Sequence, residues 1–101
     1  MSMMKVANVN DLKAGEGKVV EADGKELALF NVDGKFYAID NTCLHQGGPL
    51  GEGQLEGDIV TCPWHAWQYD VKTGVNPENA QIKVNKHEVK VEGNEVKVKP
   101  V

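Results

Sequence analysis

The sequence of 101 residues contains no arginine, and its 11 lysines are outnumbered by 15 acidic residues, giving a net charge of −4. This balance argues against nucleic-acid binding, because the phosphate backbone selects basic surfaces. No apolar run approaches the roughly 20 residues that cross a bilayer. The stretch Met1–Asp11 lacks the apolar segment of a secretory signal. We therefore expect one soluble, cytoplasmic domain without a membrane partner.

Basic residues are missing altogether between Lys35 and Lys72. The same stretch carries five acidic residues: Asp40, Glu52, Glu56, Asp58 and Asp70. Two interpretations stay open, a solvated acidic surface that keeps the protein in solution or a docking face for a basic partner. The metal-binding pattern described below lies in the same stretch, and this adds weight to docking.

Helical periodicity is also missing, since no window of eleven residues sustains a 3.6 period, and only Asn10–Leu12 suggests a capped single turn. Apolar alternation and turn dipeptides predict strands over 18–22, 26–32, 35–40, 58–62, 67–71, 88–92 and 95–99. In the last hairpin, the valines at 89, 91, 96 and 98 predict one buried face. The predicted fold class is all-β, a small antiparallel β-sandwich or barrel.

One segment interrupts the strand pattern. Residues 41–57 contain Gly47, Gly48, Pro49, Gly51, Gly53 and Gly57. Because glycine and proline weaken strands, we expect this segment to be a loop that adds little to the core. A loop of this length in a compact domain is usually functional.

The two cysteines each lie close to a histidine, in the patterns Cys43-x-His45 and Cys62-x-x-His65. A lone disulfide is unusual in a cytosolic protein of this size, whereas Cys and His at short spacing are common metal ligands. Two thiolates and two imidazoles suit zinc or an iron–sulfur centre in which histidines ligate one iron. Zinc modules usually pair Cys with Cys and His with His, so one of each per loop favours the binuclear centre.

The residues around these ligands extend the pattern. Cys43-Leu-His-Gln-Gly-Gly-Pro-Leu50 and Cys62-Pro-Trp-His-Ala-Trp-Gln-Tyr-Asp70, followed by Thr73-Gly74, resemble the two cluster-binding loops of soluble, low-potential Rieske-type ferredoxins. The resemblance implies one 2Fe–2S cluster per chain, held by Cys43, His45, Cys62 and His65. It implies cysteines on the buried iron and histidines on the outer one. It also implies a base of residues 1–40 and 70–101 and a cluster-binding subdomain of about 41–69.

Comparison with high-potential Rieske proteins predicts the reduction potential. Those proteins resemble this motif but carry a disulfide at the positions of Gly48 and Trp64, and a serine at Trp67. Fewer hydrogen bonds to sulfur stabilise the reduced cluster less, so we predict a potential toward the roughly −150 mV end of the Rieske range. Tyr69 matches a tyrosine that donates to a cysteine sulfur in the high-potential branch, and we expect it to raise the potential modestly.

The resemblance implies an electron carrier and not an enzyme. We expect a monomeric ferredoxin that passes single electrons from a flavin reductase to an oxygenase. Two alternatives stay open: the small Rieske-like subunit of an NAD(P)H-dependent nitrite reductase, partnered by its large subunit, and a zinc-stabilised binding module. Trp64 and Trp67 are both candidates for packing in the core or at its rim. For Trp64 the alternative is that it shields the cluster from water and contributes to docking. His87 is predicted to be an ordinary surface or edge-strand histidine.

Overall fold

The computed structural model describes residues 3–42, 48–64 and 67–100. Within these ranges the chain forms nine strands and two single 3₁₀ turns. The strands are β1 Met4–Asn8, β2 Gly17–Ala22, β3 Lys25–Val32, β4 Lys35–Asp40, β5 Gln54–Glu56, β6 Ile59–Thr61, β7 Gln68–Asp70, β8 Lys86–Glu92 and β9 Glu95–Lys99, and the 3₁₀ turns are Val9–Asp11 and Leu50–Glu52. No helix in the described part of the chain is long and apolar enough to span a membrane.

The strands form two antiparallel sheets. The larger has the order β1-β9-β8-β4-β3-β2, and the smaller has the order β5-β6-β7. The β3–β4 hairpin turns through Asp33 and Gly34, whose φ values of 51° and 91° are both left-handed, as a tight two-residue hairpin turn requires. Strand β8 of the C-terminal hairpin pairs with β4 at two described positions, Ala38 with His87 and Ile39 with Lys86. The all-β prediction is confirmed.

Strand β3 separates two hydrophobic cores. Leu27 and Leu29 face a barrel core with Val96 and Val98 of β9, whereas Phe30 on the other face belongs to an inter-sheet core. The inter-sheet core contains Ala28, Phe30, Val32, Ile39, Leu50, Val60, Cys62, Tyr69, Val71 and Val84. Burial on both faces explains why the sequence of β3 reads as a nearly continuous apolar run and not as strict alternation.

The expectation that residues 41–57 add little core is wrong. This segment contains the second 3₁₀ turn and β5, and Leu50 is completely buried in the inter-sheet core. A Cβ on Gly51 would lie 2.8 Å from the backbone of Lys18 and Val19, so the turn packs its backbone directly on β2. The glycines that weaken strand propensity here allow close backbone packing.

The C-terminal hairpin also departs from the prediction of one buried valine face. Val96 and Val98 are completely buried, but Val91 is 44% exposed although it pairs with Val96. Strand β8 pairs with β4 only near its beginning, at Lys86 and His87. The far end of the hairpin therefore extends beyond the strand that covers it, and Val91 stays in solvent.

Candidate metal centre

Cys62 lies directly after β6 and is one of the inter-sheet core residues. It is a free cysteine with only 3% of its surface exposed. Its backbone N–H donates a 2.7 Å hydrogen bond to the carbonyl oxygen of Trp67. This bond closes the neck of the second predicted ligand loop and keeps the thiol inside the fold.

Gly48 of the first predicted loop lies against this thiol. An ideal Cβ on Gly48 would be 2.6 Å from Cys62 Sγ and 3.1 Å from Trp64 Cγ, and real Cβ atoms essentially never come within 3.0 Å of another heavy atom. The backbone at Gly48 is therefore in direct contact with the sulfur, at a position where only glycine leaves room for it. The two loops meet at this point.

The ends of the first loop are locked together by backbone and side-chain hydrogen bonds. Thr42 and Pro49 form an isolated antiparallel bridge. The carbonyl oxygen of the buried Asn41 accepts from Leu50 N at 2.7 Å, and its Oδ1 accepts from Gly51 N at 2.8 Å. The residues between Thr42 and Pro49 thus start and finish at a closed neck.

Of the four predicted ligands, only Cys62 lies in the described part of the chain. Cys43, His45 and His65 lie outside the described residues. Residues 3–42, 48–64 and 67–100 contain no group of three or more His, Cys, Asp or Glu that holds a metal ion by itself. The ligand set therefore stays a prediction, to which the structure contributes the buried thiol and the glycine beside it.

The aromatic residues of the second loop have different environments. Trp64 is 57% exposed, and its ring carbons lie next to Gly48. Trp67 is half-buried and packs against the inter-sheet core. Tyr69 is completely buried. No buried side-chain N or O atom among the described residues lacks a hydrogen-bond partner, so the Tyr69 hydroxyl has one.

Most of the acidic stretch is engaged in local contacts. Asp58 forms a 3.2 Å ion pair with Lys72, and this hydrogen bond and charge raise the pKa of Lys72. Asp70 Oδ1 accepts from Lys72 N at 2.8 Å, and Asp40 contacts β8. Glu52 and Glu56 are exposed. The carboxylates that still face solvent are thus fewer than the sequence suggests.

The prediction for His87 is wrong. This residue is only 3% exposed, and its Nε2 lies 2.7 Å from Asp40 Oδ1. His87 pairs with the small, buried Ala38, which leaves room for the imidazole on the inner side of β8. The sequence contains a signal for this burial, because His87 is two residues before Val89 and so lies on the same face of the strand.

The described part of the chain thus presents a buried free thiol against the backbone of a neighbouring loop, on a small antiparallel β-fold. The Rieske 2Fe-2S domain family matches residues 2–88. The ferredoxin component of the naphthalene 1,2-dioxygenase/salicylate 5-hydroxylase systems of Ralstonia sp is 38% identical over 96 residues, covering 92% of this chain and 90% of that protein. This chain belongs to the Rieske 2Fe-2S domain family.

Solved structures agree with this assignment. The ferredoxin of carbazole 1,9a-dioxygenase from Nocardioides aromaticivorans IC177 superposes with a TM-score of 0.92 at 29% identity over the whole of both chains. A chain from a complex of reduced oxygenase and oxidized ferredoxin in carbazole 1,9a-dioxygenase superposes with a TM-score of 0.86 at 34% identity, covering 95% of this chain and 91% of that one. A protein assigned as the small subunit of an NADPH nitrite reductase superposes with a TM-score of 0.83 at 22% identity, covering 97% of this chain and 98% of that one. This is a likeness of fold alone.

The comparisons confirm the expected cofactor and class of function. The chain carries one 2Fe–2S cluster and is an electron-transfer ferredoxin, not itself a catalytic enzyme. The described residues fit this cofactor, because the buried Cys62 thiol lies against the backbone of Gly48 with no side chain between them, and a cysteine thiolate is the usual ligand of an iron–sulfur cluster. The zinc-module interpretation is set aside.

Proposed function

We propose that this ferredoxin carries single electrons from a flavin reductase to an oxygenase, as a monomer in the cytoplasm. The ligands in this proposal are Cys43, His45, Cys62 and His65. The observation that carries it is the buried Cys62 thiol against Gly48, in a chain similar over nearly its whole length to ferredoxin components of dioxygenase systems. When bound, the cluster accepts and releases one electron.

The residues around Cys62 have a clear task in this proposal. Burial of the thiol and the closed neck at Trp67 keep water away from the inner ligand. The contact at Gly48 keeps the first loop on the sulfur. The exposed Trp64 ring covers this contact from outside and offers a partner an aromatic surface of the kind that is enriched in interfaces.

We also propose the division of the chain into a base, residues 1–40 and 70–101, and a cluster-binding subdomain, residues 41–69. The larger sheet draws all its strands from 4–40 and 86–99, and the smaller sheet lies within 54–70. This placement supports the division, because the two ligand loops lie on either side of β5 and β6.

The ligand assignment is tested by replacing histidines. We expect His45→Ala and His65→Ala each to abolish the visible and electron paramagnetic resonance (EPR) spectrum of the Rieske cluster, because an imidazole on the outer iron defines that spectrum. Gln46→Ala, between the two predicted ligand motifs, is the control and is expected to keep it. Survival of the spectrum in His45→Ala, or a colourless protein with stoichiometric zinc, would overturn the assignment.

The direction of electron flow is tested by pairing the chain with purified partners. We expect rapid reduction by a flavin reductase with NAD(P)H, followed by reoxidation by an aromatic-ring oxygenase. The large subunit of an NADPH nitrite reductase is the competing acceptor. Faster reoxidation by that subunit than by the oxygenase would contradict the proposed role while leaving the cluster assignment intact.

Docking through Glu52 and Glu56 makes electron transfer salt-dependent. We expect the second-order rate constant to fall as ionic strength rises, because screening weakens long-range attraction to a basic partner. Neutralising either residue to Gln should lower the low-salt rate by roughly 1.4- to 5-fold, corresponding to about 0.2–1 kcal/mol. Glu88→Gln, on β8 outside the acidic stretch, is the control. A rate that does not change with salt would refute this docking surface.

Tyr69 tests how the potential is tuned. Tyr69→Phe removes a buried hydroxyl, and we expect the midpoint potential to fall by roughly 40 mV, the one-electron equivalent of about 1 kcal/mol for a lost hydrogen bond. Tyr37→Phe is the matched control, because Tyr37 packs against the same inter-sheet core from β4. Equal shifts in both variants, measured by redox titration, would rule out a specific role for Tyr69.

A further inference from the structure

Asp40, the last residue of β4, makes three hydrogen bonds, two with Asn85 directly before β8 and one with His87 of β8. Its Oδ1 lies 2.7 Å from Nε2 of the buried His87, and its Oδ2 accepts from Asn85 N at 3.0 Å. Its own N–H donates to the carbonyl oxygen of Asn85 at 3.0 Å. A carboxylate only accepts, so His87 Nε2 carries the donated hydrogen. Both carboxylate oxygens are therefore engaged, one by Asn85 and the other by His87.

The next residue transmits this constraint to the first ligand loop. Asn41 directly follows Asp40, and its carbonyl and side-chain oxygens accept from Leu50 and Gly51 at the closed neck. The bridge between Thr42 and Pro49 extends the neck by one pair. Asp40 is bonded to His87 and the adjacent residue Asn41 is bonded to Leu50 and Gly51, so the peptide bond between Asp40 and Asn41 links the two sets of hydrogen bonds.

We propose that Asp40 is a positioning residue for the cluster, and that His87 and Asn85 fix its carboxylate so that the first loop presents its ligands correctly. This proposal rests on the ligand role of Cys43 and His45 proposed above. Cys43 follows Asp40 by three residues, so a rotation of the Asp40 backbone displaces the start of the ligand motif. His87, which the predicted ligand set does not use, acts on the cluster through Asp40.

The geometry distinguishes this pair from an ordinary surface ion pair. Asp58 and Lys72 also join two segments, but their side chains are 40% and 45% exposed. In the other pair the His87 side chain is 1% exposed and the Asp40 side chain 33%. A buried donor with a fixed partner determines orientation, whereas exposed partners exchange with water. Groups of this kind around metal ligands affect metal affinity by roughly 10–100-fold when removed.

The test compares His87→Leu, His87→Gln and Asp40→Asn in the cluster-loaded protein. We expect His87→Leu to accelerate cluster loss to an iron chelator by roughly 10-fold or more and to shift the EPR g-values of the reduced cluster. His87→Gln should restore both, because its side-chain amide still donates. Asp40→Asn should resemble His87→Leu, because an amide has one accepting oxygen and cannot accept from both His87 and Asn85.

Asp58→Asn is the matched control, and thermal unfolding of each cluster-loaded variant separates stability from positioning. The positioning role is wrong if His87→Leu and Asp40→Asn lower only the unfolding temperature, while the EPR g-values and the rate of cluster loss to the chelator stay as in the wild type. Should His87→Leu fail to fold, Asp40→Asn decides alone. A wild-type protein without a 2Fe–2S spectrum would instead refute the proposed function, so the two failures are distinguishable.

Discussion

Cys62→Ala is expected to give a colourless protein without the visible or EPR spectrum of a 2Fe–2S cluster. The thiolate is the one predicted ligand that the structure places, and it is 97% shielded from solvent in the inter-sheet core, since 3% of its surface is exposed. Water cannot take its place there, because the surrounding residues are apolar. We expect the cluster to be lost when only three protein ligands remain, and with it the energy that metal binding adds to folding.

The control for this variant keeps the ligand and perturbs the same core. Ile39→Val removes one methylene group from a completely buried inter-sheet core residue and should cost roughly 0.5–1.5 kcal/mol of stability. We expect it to keep a full complement of iron and sulfide. Stoichiometric iron and sulfide in purified Cys62→Ala, measured chemically, would show that Cys62 is not a ligand.

The strands that sequence reasoning predicted well are those whose signals are local. Strands β4 and β9 have the predicted bounds, Lys35–Asp40 and Glu95–Lys99. In both cases a turn dipeptide with glycine lies directly before the strand, and alternation follows from there. Such signals need no knowledge of the rest of the fold.

The elements that sequence reasoning missed depend on tertiary contacts. Strand β1 has only one buried residue, Ala7, and is held by pairing with β9 at the other end of the chain. The 3₁₀ turn at Leu50 exists because Gly51 packs on β2. Neither contact leaves a periodic pattern in the sequence, so propensity alone favours a loop.

The candidate site shows the same division between local and distant information. Spacing and resemblance predicted the ligand pattern, and the structure adds the close approach of Gly48 to Cys62 Sγ. The partner of His87 is 47 residues away at Asp40, so its identity required the register of β4 and β8. The alternation of β8 places His87 on the same face as Val89 and so indicates burial. Because polar side chains are mostly exposed, the sequence alone favoured the opposite interpretation.

Gly48→Ala is expected to weaken cluster binding sharply, although it adds a single methyl group. That methyl would lie 2.6 Å from Cys62 Sγ and 3.1 Å from Trp64 Cγ. The exposed Trp64 ring is able to move away, but the sulfur is fixed in the core, so the first loop must withdraw from it. We expect cluster loss to a chelator to be roughly 10–100-fold faster, as for other changes that disturb the surroundings of a metal ligand.

Gly51→Ala provides the matched control for this effect. Its added methyl would be equally crowded, at 2.8 Å from the backbone of Val19, but it would touch no sulfur. Both variants should lose stability, because overpacking costs typically 1–3 kcal/mol, and only Gly48→Ala should also lose its cluster faster than it unfolds. Trp64→Ala in the Gly48→Ala background should not restore retention, because the methyl still meets the thiol. Wild-type retention in Gly48→Ala would mean that the two loops do not meet at Cys62 in the loaded protein.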